Sequence, residues 1–292
     1  MADQQHSRED EALRAIFSRH GYGFQYAVAK QCVDQHHKRA SHWQLDATEF
    51  PVEVNGTHLH VDIILRSGRG LMIIECKRAN PALALWCFGR STFSSEDMSE
   101  QSFVRLDQAE WDRKIGCLLV RQGEPDHTDH QYHVALEAPT TQPGDPSGSR
   151  RGALNEAVSQ ALRGSSGLIN TLNSRTDGAL LGPDGHKKII PVVVTTARLF
   201  ACSHDLAVSD LESGRLPDDA TASERRWIWF RINVTAQLRY GAQRLRAKSY
   251  AQQKLDTFGE LADADYSQSV AIVSASGLTE FLTVASRHIG EW

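Results

Sequence analysis

The stretch His60-Val61-Asp62-Ile63-Ile64-Leu65, followed across Ser67-Gly68-Arg69-Gly70 by Leu71-Met72-Ile73-Ile74-Glu75-Cys76-Lys77, decides how this chain is read. Both halves are apolar at consecutive positions, the pattern of strands covered on both faces. An unpaired charge inside such a strand costs on the order of several kcal/mol. Asp62, Glu75 and Lys77 therefore sit where folding alone would not place charged groups.

The turns set the register. Gly68-Arg69, read as a two-residue loop with Gly first, suits a type II′ hairpin. Pairing then runs from Ser67 with Gly70 down to Asp62 with Glu75, and a symmetric four-residue loop gives the same partners. Opposed residues have Cβ atoms about 4.5–5.5 Å apart, close enough to share one cation. Lys77, two residues past Glu75, lies on the same face. Asn55-Gly56 signals a second hairpin, which puts Glu49 opposite Asp62 and lines up three carboxylates across three antiparallel strands. Abutting carboxylates repel unless a cation lies between them, and a magnesium-type ion is suited to a few carboxylates plus water. The competing reading is a cross-strand ion pair on a solvated face, which the apolar neighbours on both sides disfavour.

Val61-Asp62, twelve intervening residues, then Glu75-Cys76-Lys77 resembles the PD-(D/E)xK nuclease superfamily with its restriction-endonuclease-like fold. The resemblance implies an α/β fold: a central mixed β-sheet flanked by helices, with an αβββαβ core. The order here is similar, with helical patterns over 8–36, three strands to Lys77, a helix near 153–173 and an apolar strand at Ile189–Thr196. The resemblance further implies that Asp62 and Glu75 bind Mg²⁺, with Mn²⁺ able to substitute, and that the backbone carbonyl of Cys76 is a further ligand. Lys77 would assist the attacking water. As an ammonium it is better suited to stabilising developing negative charge than to acting as a base. The implied substrate is nucleic acid, DNA before RNA, and the implied setting is bacterial restriction or phage defence. Val61 replaces the nominal Pro, which serves no chemistry there.

One departure bears on activity. Related nucleases often carry a Glu on the first helix after a Gly-aromatic-x-Phe sequence, whereas Gly21-Tyr22-Gly23-Phe24 is followed here by Gln25. An amide brings no negative charge, and Glu11 or Glu49 is the available substitute. Gln160 falls on the helix after the motif, where some relatives keep a Gln, although a solvated helix residue is the simpler expectation. The alternative to an enzyme is a catalytically inactive nuclease-like module that binds nucleic acid or a partner protein.

At 292 residues, 40% hydrophobic and 23% charged, the chain has the composition of a globular protein. Residues 1–199 read as the core, with 82–150 inserted in it, and 200–292 as an extension of the sheet or a small subdomain. The insertion shows a helical pattern at 99–114, strand patterns at Cys117–Arg121 and Tyr132–Glu137, and a loop from Ala138 to Gly152. Trp227–Val234 and Ser269–Ser274 read as strands and Gly277–Ile289 as a final helix. No apolar run reaches membrane-spanning length, and Met1-Ala2-Asp3-Gln4-Gln5 has no signal-peptide character. Five scattered cysteines without a CxxC pair point to a reducing cytoplasm and away from structural zinc. With a net charge of −4, contact with nucleic acid needs a local basic surface. Arg239, Arg244, Arg246, Lys248 and Lys254 form one, with Tyr240 and Tyr250 among them for stacking on bases. A second copy or a partner subunit leaves no signature in the sequence.

Two other constellations compete. His58, His60 and Asp62 alternate as if on one strand face and resemble the start of the HxHxDH motif of metallo-β-lactamase-like hydrolases. Ile63 stands where that motif needs His, and zinc needs three or more protein ligands. Opposite His58 the register puts Glu53, so an ordinary cross-strand pair is favoured. His127, His130 and His133 drift off any single helical face. No P-loop or GxSxG elbow occurs, which leaves ATP motors and serine hydrolases without support.

Overall fold

The computed structural model describes residues 21–54, 56–68, 70–90, 100–108, 115–123, 132, 134–138, 152–174, 187–233 and 267–290. Helix α1 (Tyr22–His37) leads into three antiparallel strands, β1 (Gln44–Val54), β2 (Thr57–Ser67) and β3 (Gly70–Lys77). Both hairpins are as tight as the sequence demands. Val54 pairs with Thr57 and Ser67 with Gly70, and Gly56 and Gly68 take φ of +75° and +47°, a region glycine enters without steric cost.

After β3 come β4 (Leu85–Arg90), β5 (Glu100–Gln108), β6 (Ile115–Gly123) and β7 (Val134–Ala138), then helix α2 (Gly152–Ser174). The remainder comprises β8 (Lys187–Thr195), β9 (Arg198–Asp205), β10 (Ala222–Arg225), β11 (Trp227–Asn233), β12 (Ser267–Ser274) and α3 (Leu278–Gly290). The main sheet runs β1-β2-β3-β8-β12-β11, with β5 joined to β8 and β6 to β5. β8 is parallel to β3, with Glu75 beside Val193, as the order of elements predicts. A second sheet runs β10-β9-β4-β7. The protein is thus α/β with mixed sheets.

Two features differ from the sequence reading. The segment expected to be helical at 99–114 forms β5 over Glu100–Gln108, because its Phe103, Val104 and Leu106 suit a strand and β6 offers a partner. Non-local pairing outweighs a weak local preference. Of the two forms expected for the C-terminal part it takes the extension of the sheets, with β11 and β12 in the main sheet and β9 and β10 in the second, while the boundary drawn at 199/200 falls inside β9. Arg239, Arg244, Arg246, Lys248 and Lys254, together with Glu11, His127, His130 and His133, lie outside the described residues. No helix among the described residues is long and apolar enough to cross a membrane.

Two layers hold the β2–β3 hairpin. On one face Ile63, Leu65, Met72 and Ile74 pack with Val28, Ala29 and Cys32 of α1 and with Leu278, Phe281 and Leu282 of α3. On the other, Val61, Ile64, Leu71 and Ile73 pack with Leu168 of α2. The same helix buries Leu154, Ala157, Val158, Ala161 and Leu162 with Trp86, Phe88 and Leu199 of the second sheet, so α2 is clamped between the sheets. Its close approach depends on glycine. A Cβ on Gly167 would stand 2.8 Å from Val52, and one on Gly164 would stand 3.1 Å from Val61. Gly167→Ala should therefore destabilise the fold by roughly 1–3 kcal/mol, the cost of overpacking exceeding the helical gain of about 1 kcal/mol. Urea unfolding checks this, and an unchanged or raised midpoint would mean that the helix is not held this tightly.

Candidate functional site

The β2–β3 ladder follows the predicted register from Ser67↔Gly70 to Ile63↔Ile74, and there it stops. Asp62 and Glu75 are the next positions, but the backbones do not pair across them. Instead the Asp62 carboxylate accepts a hydrogen bond from the Cys76 N–H at 2.7 Å. The strands fork, and a side chain fills the mouth of the fork.

The fork coincides with a change in strand parity. Leu59 and Val61 face the α2 side, as does Ile64, whereas Ile63 faces α1. One residue, Asp62, is extra to the alternation. Across the sheet Phe50 and Ala47 both face α2 while Glu49 between them takes φ +50°. No register shift accompanies the change, so both strands turn over together here, and the irregularity of this pair lies between Leu45 and Ala47. Positive φ in a non-glycine residue is also strained. The pairs Thr48↔Ile63 and Phe50↔Val61 bracket Glu49 and Asp62 at the expected register.

Glu49 is close enough for its charge to act on Asp62 and Glu75, but its carboxylate is engaged elsewhere. The Glu49 carboxylate is turned to α1, where it accepts from Gln25 Nε2 at 2.5 Å. The same amide nitrogen donates to the Asp62 carbonyl at 3.2 Å, and Gln25 is buried. Gln25 is a strut fixing β1 and β2 where they kink, a task its amide performs and a carboxylate could not, since an ionised carboxylate has no proton to donate. The parity change also removes Asp62 from the face of His58 and His60, both of which are exposed. Glu53 pairs with His58 across the hairpin as expected.

Glu75 and Lys77 lie on the α2 side, continuing the alternation from Ile73. There the Lys77 ammonium is ion-paired with Glu156 of α2 at 2.7 Å. Sequence reasoning gave Glu156 no role; the one available signal is its spacing of four residues from Gln160, which puts both on one side of the helix. Gln160 lies between Glu156, at Lys77, and Gly164, at Val61 and Ile73, so α2 carries it over the fork. Gln160 is partly buried, and its Oε1 is shielded from solvent and accepts no hydrogen bond.

Burial and mutual repulsion raise both acid pKa values. Burial and the charge of Glu49 push Asp62 up to about 6, against the opposing pull of the Cys76 N–H and Lys77. Burial first, then Asp62, Glu156 and Glu49, push Glu75 up to about 8, with Lys77 opposing. Such a pair binds protons more tightly than free carboxylates, and a cation between the two would relieve their repulsion.

The donors are those a hard divalent ion prefers. Asp62 and Glu75 supply carboxylate oxygens. Cys76 donates its N–H toward Asp62 while the Lys77 carbonyl accepts from Thr196 at 3.4 Å on the β8 side. Because successive residues of a strand alternate the side to which their backbone groups point, the Cys76 carbonyl faces the fork. Among the described residues no three His, Cys, Asp or Glu side chains converge on one point. Two carboxylates, one carbonyl and water is a donor set that Mg²⁺ accepts.

No family model matches the chain, and comparison with curated proteins and with solved structures finds no match either.

Proposed function

We propose that the protein is a Mg²⁺-dependent nuclease that hydrolyses phosphodiester bonds, with Asp62, Glu75 and Lys77 at its centre. The observation that carries this reading is the fork: two half-buried carboxylates with raised pKa values meet a lysine where a regular β-ladder is broken to admit them. A plain ion pair needs no such break, and structural residues would not be left repelling one another.

Asp62, Glu75 and the Cys76 carbonyl would hold the ion, which supplies a Lewis acid for the phosphate and lowers the pKa of water. Asp62 is oriented by the Cys76 N–H, and its backbone is fixed by Gln25. The attacking water gives up a proton to solvent, its oxygen bonds to phosphorus as the P–O ester bond breaks, and the departing alkoxide takes a proton from solvent. The Lys77 ammonium stabilises negative charge on the attacking oxygen and the pentavalent phosphorus. DNA is the proposed substrate, on the strength of the motif's resemblance, and restriction or phage defence the proposed setting.

A second reading, an inactive nucleic-acid-binding or partner-binding module, is favoured by one observation, the engagement of Lys77 by Glu156. One assay separates the two. Supercoiled plasmid, linear duplex, single-stranded DNA and RNA are incubated with the protein and Mg²⁺ or Mn²⁺, beside Asp62→Ala and Lys77→Ala. The nuclease reading expects metal-dependent cutting lost in both variants. Binding without cutting on every substrate, unchanged by either substitution, would establish the module.

A further inference from the structure

We propose that Glu156 is a positioning residue of the site: it holds the Lys77 ammonium at the fork. This rests on the nuclease reading and adds to it a residue outside the Asp62–Glu75–Lys77 motif.

Lys77 lies at the end of β3, where four flexible carbon–carbon bonds separate the ammonium from the backbone. An ammonium so mounted is a mobile charge unless something fixes it. The nearby acids would divide their lone pairs between the ammonium and a cation, whereas Glu156 is an anchor outside that pair. Glu156 resolves this competition. It comes from a different layer of the fold, 79 residues away in sequence, and takes the ammonium at 2.7 Å. Its own side chain is 58% exposed, against 22% for Lys77, so the pair reaches from the solvated end of α2 inward. Burial is not the reason for this glutamate; one facing solvent without a partner would serve α2 equally well.

The helix is placed to do this with precision. Gly164 and Gly167 press α2 against β2 and β1, and Leu154 and Ala157, on either side of Glu156 along the helix, are fully buried between the sheets. Glu156 is therefore mounted on a clamped element, and its carboxylate delivers an ammonium to a fixed place. The second and third N–H groups of Lys77 remain for the reacting phosphate. Glu156 touches neither the proposed ion nor the substrate.

The test is a double-substitution cycle read by steady-state cleavage of a defined duplex oligonucleotide in Mg²⁺, with substrate binding measured in Ca²⁺. Glu156→Gln should lower kcat by roughly 10- to 100-fold with KM within about twofold, the scale on which a misplaced group loses rate. Glu156→Asp should recover part of that loss. In a Lys77→Met background, at saturating Mg²⁺ and about pH 9, where the direct effect of the Glu156 charge on Glu75 no longer changes its ionisation, adding Glu156→Gln should change the remaining rate by less than about twofold. An active Glu156→Gln, or effects that multiply in the double variant, overturns the proposal. A wild type that cuts nothing overturns the nuclease reading itself. In that event ¹⁵N-detected NMR of the lysine ammonium groups still decides the pairing. A slowly exchanging Lys77 signal lost in Glu156→Gln upholds the anchor, and no difference between the two proteins removes it.

Discussion

Asp62→Asn is expected to abolish cleavage and, in metal-free buffer near pH 8, to make the protein more stable. The two effects share one cause. In the native fold Asp62 is a half-buried carboxylate beside Glu75 and Glu49, and desolvation is the largest reason its pKa stands at about 6. Asn removes the charge but keeps an oxygen that can accept from the Cys76 N–H, so the fork retains its closing hydrogen bond. Relief of a shift of this size is worth roughly 1–3 kcal/mol of folding free energy at pH 8. Catalysis loses a charged ligand, and cleavage should fall by about 10³-fold, the upper end of what removal of one oriented electrostatic group costs. Thermal unfolding and plasmid cleavage on the same preparations test the pair. If Asp62→Asn is both inactive and less stable, Asp62 is a structural residue after all. The opposite signs are characteristic of a site that sacrifices stability for function.

The second large effect is on pH. Asp62 and Glu75 titrate near 3.8 and 4.5 when unperturbed and are raised to about 6 and about 8 in the fold. Between pH 4 and pH 8 the native state therefore binds more protons than the unfolded chain. Metal-free stability should fall as pH rises through that window, by on the order of a few kcal/mol, and should level off above it. Mg²⁺ binds only the ionised acids, so the stabilisation it confers should be small at pH 5 and largest at pH 8 and above. Calorimetric unfolding from pH 4.5 to 8.5, with and without 10 mM MgCl₂ as roughly saturating ligand, gives both curves. A Mg²⁺ effect that is flat with pH, or that persists in Asp62→Asn, would remove these carboxylates from ion binding.

Much of the site was legible in the sequence because it depends on counting. Gly68 and Asn55-Gly56 fix two hairpins, and once a turn is fixed every partner along the ladder follows. The pairs Ile63↔Ile74, Thr48↔Ile63 and Phe50↔Val61 that bracket the three acids, and β8 parallel to β3, all descend from that arithmetic and from the order of elements. What escaped was non-periodic or distant. The change of face at Asp62 interrupts an alternation that sequence reading extends unbroken, which is why the engagement of Glu49 by α1 was not foreseen. The strand at Glu100–Gln108 was hidden because its partner, not its composition, decides its form.

The sequence by itself determined three charges at fixed positions in a buried hairpin, because turn chemistry and strand period are local rules. Only the tertiary structure decided how those charges are held. The fork at Asp62 requires β1 and β2 to kink together, the Gln25 strut requires α1 on one face, and the Glu156–Lys77 pair requires α2 pressed by its glycines onto the other. The hydrogen bonds among them join residues 14 to 79 positions apart, where no period in the chain relates one partner to the other and packing alone makes them neighbours.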